Sequence, residues 1–116
     1  MKNHINVNGK LFQTNKRFSQ LKQSQKDWIA TELYKLYHNK MKERRTTKKL
    51  SPDHRDAIIS SLYEQIQSRE IWIPYGEVER YAFSKTTKIV KSFKKQFPEL
   101  SMEIEAEHAI KIHLVL

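Results

Sequence analysis

Apolar side chains return at spacings of three and four in three separate stretches, and this recurrence constrains the fold more than any other feature. Trp28, Ile29, Leu33, Leu36, Tyr37 and Met41 form one series, and Ile58, Ile59, Leu62, Tyr63 and Ile66 a second. Ile89, Val90, Phe93 and Phe97 form the third. At about 3.6 residues per turn each series lies on one stripe of an α-helix, and such a stripe must be buried against something. The chain has 116 residues, close to the size of one domain, so the stripes are expected to share a single core. Apolar residues make up 38% of it, too much for a disordered chain.

Start and stop signals divide the rest. Ser24 is a candidate N-cap for the first helix, which should run to about Lys42–Arg45. Ser51-Pro52-Asp53 combines a capping Ser, Pro at the first helical position and an acid in the first turn. The helix it opens should end near Arg69. Ile71-Trp72-Ile73 reads as a short strand stopped by Pro74, and Gly76–Ala82 as two helical turns. Phe83-Ser84 then breaks the pattern, with Ser84 capping a helix from Lys85 to Phe97 that Pro98 closes. Met102, Ile104, Ala106, His108, Ile110, Ile112, Leu114 and Leu116 all fall on even positions, the period of a strand, with a reversal expected near Glu105–His108. Glu, Met and Ala between Leu100 and His108 also favour helix, and that alternative stays open. At the other end, Asn8-Gly9 between Ile5-Asn6-Val7 and Lys10-Leu11-Phe12 signals a type I′ β-hairpin.

From residue 51 onward the order helix, strand, short helix, turn, helix, strand, strand resembles the winged-helix superfamily. The resemblance implies that Gly76–Ala82 and Lys85–Phe97 form the helix-turn-helix pair, the latter as recognition helix, with a wing around Glu105–His108. The expected class is therefore α+β and helix-rich. It comprises a winged-helix-like three-helix core with a small β-hairpin sheet, preceded by an N-terminal β-hairpin and a long amphipathic helix. Residues 1–48, too few for a core of their own, should pack onto 51–116 in one domain spanning 1–116.

Charge gives the functional signal. Residues 1–50 carry 13 basic and 3 acidic groups, whereas 51–116 carry 9 and 10, for a formal charge of +9 overall. Such an asymmetry points to a polyanionic partner. One cluster holds Lys40, Lys42, Arg44, Arg45, Lys48 and Lys49. The other holds Lys85, Lys88, Lys91, Lys94 and Lys95, with Thr86 and Thr87 beside them and no acid between Ser84 and Gln96. On a helix Lys88, Lys91, Lys94 and Lys95 lie opposite Ile89, Val90, Phe93 and Phe97. These residues are the candidate nucleic-acid-binding site, acting mainly through phosphate contacts and counterion release. The predicted recognition helix lacks Arg, Asn and Asp, so it should position the protein more than read bases. DNA is the favoured target over RNA, with Tyr34, Tyr75 and Tyr81 as stacking surfaces should a single strand be bound.

Catalytic signals are absent. There is no Cys, the two glycines build no phosphate loop, and no two of the five His show metalloprotease spacing. No enzyme activity, cofactor or metal is expected. The alternative function is a protein-interaction module or structural subunit whose basic charge serves only solubility, with homodimerisation through helix 24–45 or strand 110–116. No apolar run is long enough to span a bilayer, and the composition fits a cytoplasmic location.

Overall fold

The computed structural model describes residues 4–7, 10–13 and 16–115, with side chains from 16 to 110. Among the described residues the architecture is four helices: α1 (Gln23–Arg44), α2 (Pro52–Ser68), α3 (Tyr75–Gln96) and α4 (Pro98–Val115). A 3-10 turn at Phe18–Gln20 precedes them. Two four-residue strands, β1 (His4–Val7) and β2 (Lys10–Gln13), pair antiparallel with Ile5 opposite Phe12. The Asn8-Gly9 turn lies outside the described residues.

The first three helices pack up, down and up. His38 on α1 meets Phe93 on α3, and Lys42, one turn later, meets Phe97, so α1 and α3 run parallel. Arg55 near the start of α2 covers Phe83, while Tyr63 further along meets Tyr75 at the start of α3, so α2 runs against them. The core holds Ile29, Leu33, Tyr37 and Met41 from α1, Ile58, Ile59, Leu62 and Ile66 from α2, and Val78, Ala82, Ile89 and Phe93 from α3. The buried residues of the α1 stripe are thus packed within the chain, with Trp28 and Leu36 partly buried beside them. The Tyr37 hydroxyl oxygen accepts the Leu50 N–H at 2.9 Å, tying α1 to the connection that leads into α2.

The α1–α2 and α2–α3 turns each close on a residue in the left-handed region. Arg45 has φ 49° and Glu70 φ 59°. In each turn the next N–H reaches back to a carbonyl five residues earlier, Thr46 to Met41 at 3.0 Å and Ile71 to Ile66 at 3.2 Å, which satisfies the helix end. No glycine announces either turn.

The α+β, winged-helix-like expectation is overturned: the fold class is all-helical in its core, and the sheet expected after residue 70 is not formed among the described residues. Ile71-Trp72-Ile73 is extended without a strand partner, and it buries Ile71 and Ile73 against the bundle. The break at Phe83-Ser84 does not occur. Val78, Ala82, Ile89 and Phe93 keep one helical phase through it, and the Ser84 hydroxyl donates to the Tyr81 carbonyl within the helix. Helix α1 starts at Gln23, with the Gln25 side chain accepting the Lys22 N–H at 3.1 Å, so Ser24 is not its cap. Pro98 does close α3, and it also opens α4 at the position where a missing N–H costs nothing.

The hairpin and wing expected between 102 and 116 are replaced by α4, and the strand at 110–116 by helix through Val115. Alternation every second residue scatters apolar groups around a helix, so the period misleads. Burial of Ser101 and Ile104, with Leu100 partly buried, selects the helical spacing instead. Beyond Ile104 every described side chain to Ile110 is exposed, so α4 leaves the bundle there. The molecule is correspondingly long, 62 × 24 × 21 Å, with a radius of gyration of 17.7 Å, whereas a compact chain of this length has about 13 Å.

Candidate nucleic-acid interface

Because α1 and α3 run parallel, their solvent-facing flanks form a seam. At its centre is His38, buried on α1. Its Nε2 lies 2.9 Å from the Ile89 carbonyl, which can only accept, so Nε2 carries the proton. The Ser92 hydroxyl donates to the same carbonyl at 2.8 Å, and its oxygen lies 3.0 Å from Nε2. Aromatic rings surround this contact. Tyr34, Phe93 and Phe97 meet the His38 ring edge-on, with centroids 5.9, 5.5 and 5.8 Å away. Over Tyr34, His38 and Phe97 opens a groove of about 520 Å³. Lys35 and Lys42, seven residues apart on α1, stand along it, and Asn39 and Gln96 add amide groups.

The lysines of α3 border the same seam. Ser92, bonded to His38, has Lys88 four residues before it and Lys95 three residues after it, the spacings of neighbours on a helix face. Lys91 lies between them. All three are exposed, and among the described residues none is in an ion pair. From Lys88 to Lys95 the helix rises about 10 Å.

The other expected site residues divide. Arg45 is taken by α4: its Nε donates to Glu107 Oε2 at 2.9 Å, a second nitrogen reaches the other Glu107 oxygen, and Glu103 lies at 3.4 Å. Glu103 and Glu107 reach one guanidinium because they are one helical turn apart. The Glu107 hydrogen bond raises the Arg45 pKa further above its ordinary value. Lys94 pairs with Glu105 at 2.8 Å, which holds that carboxyl below the ordinary range. Lys40 pairs with Glu43 at 2.9 Å on its own helix. Lys42 places its ammonium 3.8 Å from the Phe97 ring centre, and Lys85 sits 5.8 Å from that of Tyr81. Arg44, Lys48 and Lys49 are exposed near the α1–α2 turn. Thr86 and Thr87 lie in the middle of α3, not at a helix start, and the Thr86 hydroxyl is spent on the Ala82 carbonyl at 3.0 Å.

Lys40, Arg45 and Lys94 are thus engaged by glutamates, and the groove brings in Lys35, His38, Asn39, Gln96 and Phe97, which the sequence alone did not place in the site. The spacing of Lys35, Asn39 and Lys42 on one face of α1 was a usable signal; the parallel pairing of α1 with α3 had none.

Glutamates of α4 thus mask two cations. Replacing Glu103, Glu105 and Glu107 with Gln should release Lys94 and Arg45, and should steepen the salt dependence of polyanion binding by more than about one logarithmic unit. An unchanged slope in a salt titration of that variant would place both cations away from the bound phosphates. Acid acts in the same direction. A carboxyl whose folded pKa is depressed contributes at neutral pH, and the contribution fades as pH falls below about 4.3 towards the folded value.

Among the described residues no group of three His, Asp or Glu could hold a metal ion, and no helix is long and apolar enough to cross a membrane. No family model matches the chain, and neither a curated protein nor a solved structure matches it.

Proposed function

We propose that the protein binds nucleic acid without catalysing a reaction on it, gripping phosphates along the α1–α3 seam. One observation carries this reading. Lys88, Lys91 and Lys95 form an exposed stripe free of ion pairs among the described residues, beside a groove that Lys35 and Lys42 enter from the facing helix. A lysine used only for solubility has no reason to sit beside four others while acids cap its neighbours Lys94 and Arg45. Lysine makes point contacts with phosphate and reads no base by fork geometry, so binding should be tolerant of sequence.

The test is a salt titration with a generic oligonucleotide. Three to five phosphate contacts should give a slope of about −2 to −5 in log K against log salt. A slope near zero, or no binding near about 50 mM salt, would overturn the reading. A second reading is supported by α4, where Met102 and Ile110 are 70% and 60% exposed: a protein-interaction module acting through that helix. It would be favoured by self-association at micromolar concentration together with no affinity for oligonucleotides.

A further inference from the structure

We infer that the groove over Tyr34, His38 and Phe97 receives an unpaired base, so that the ligand of the seam is single-stranded nucleic acid. This rests on the phosphate-binding reading above and narrows it.

Three features of the groove fit a nucleotide better than they fit a phosphate alone. The first is the floor. A lysine stripe that met only duplex phosphates would need no aromatic surface, yet Tyr34 and His38 of α1 and Phe97 at the end of α3 line the groove. Tyr34 is half-buried and stands nearly perpendicular to His38, at 81°, with Phe97 at 89° to the same ring on the other side. Such rings are held in place by their packing and offer a stacking surface at little further entropic cost. The second is the rim. Asn39 on α1 and Gln96 on α3 both line the groove, each with an amide that can both donate to and accept from a base edge. The third is charge. Lys35 and Lys42 line the groove, and Lys88 and Lys95 flank Ser92, which is bonded to His38, so cations from both helices are near enough to meet the sugar-phosphate strand of a splayed base. The volume, about 520 Å³, lies in the range of small-ligand sites.

Lys42 supplies a further detail. Its ammonium lies over the Phe97 ring, a cation–π contact of a side chain that is itself only half-buried. A base entering the groove competes for that ring, and the displaced ammonium is a few ångströms from the strand's own phosphates. Duplex DNA cannot use this arrangement, because its bases are stacked and its phosphates keep the rings at a distance. Affinity for a single strand should therefore exceed affinity for a duplex of the same length.

The experiment uses the full chain with fluorescent oligothymidylate, oligouridylate and duplex probes, and an aminopurine reporter base within the thymidylate strand. Wild type should bind the single strands at least about tenfold more tightly than the duplex and quench the reporter on binding. Tyr34→Leu should lose about tenfold in single-strand affinity and most of the quenching, while Tyr34→Phe retains both. Thermal melts of both variants separate lost stacking from lost folding. Equal binding of oligothymidylate and oligouridylate identifies base and phosphate as the recognised groups, whereas a preference for one assigns the sugar or the methyl group a share. Equal affinity for duplex and single strand, or an unquenched reporter, overturns the inference and leaves phosphate binding intact. Failure of every probe to bind overturns both.

Discussion

Changing Lys88, Lys91 and Lys95 together to Glu should abolish oligonucleotide binding and leave the fold in place. Each substitution removes an attraction to phosphate and adds a repulsion. Six such changes at about 0.5 kcal/mol each, a middling value for exposed charges, amount to about 3 kcal/mol, and that is about a hundredfold in affinity. Stability should respond weakly, because all three side chains are exposed and none is in an ion pair among the described residues. The largest structural cost falls at Lys95, in the last turn of α3. A cation there complements the helix dipole and an anion opposes it, by about 0.3–1 kcal/mol. The melting temperature should drop by no more than about 5 °C. Circular dichroism melts and fluorescence anisotropy read the two halves of this result. Undiminished binding by the triple variant would move the site off the α1–α3 seam.

The second large effect concerns the packing that creates the seam. Phe93 is fully buried, with its ring edge-on to His38 at 5.5 Å and tilted against Phe97 at 5.2 Å. Phe93→Ala removes the wedge between α1 and α3 and should cost about 3–5 kcal/mol, the usual range for a core Phe. In a chain of this size the melting temperature would fall by about 12 °C or more, and urea unfolding would shift to lower midpoint at similar slope. Phe83 provides the contrast on the same helix. It is 45% exposed and covered only by the Arg55 guanidinium, 4.3 Å from its ring centre. Phe83→Ala should cost less than about 1 kcal/mol, because an exposed site leaves no cavity. Equal losses for the two variants would contradict the parallel packing of α1 on α3.

Local chemistry carried much of the helical architecture. The start of α2 was legible in Pro52 and Asp53, because the fixed φ of proline and an acid at the helix dipole act on adjacent residues, although the Ser51 hydroxyl makes no cap hydrogen bond. The stripes of α1 and α3 were legible for a similar reason: burial on one side of a helix imposes a spacing that no other residue need supply. The winged-helix reading failed where two spacings competed. In α4 an alternating pattern suited a strand, but Ile104 and Ser101 found the bundle, and Glu103 with Glu107 found Arg45. At Phe83-Ser84 a polar, aromatic pair resembled a break, although the core phase ran through it.

The candidate site shows the same division. Free lysines on α3 could be read from the amphipathic angle alone, but their company could not. Which cations are capped depends on α4 crossing the end of α1, and which aromatics line the groove depends on α1 lying parallel to α3. Helix lengths, buried stripes and the surplus of positive charge follow from residues close together in the chain, since the interactions that set them reach only a turn or two. The capping of Arg45 by Glu107, and the convergence of Tyr34 and His38 with Phe97, join residues more than fifty positions apart; only the assembled bundle brings such groups within a few ångströms, where hydrogen bonds and ion pairs have any strength.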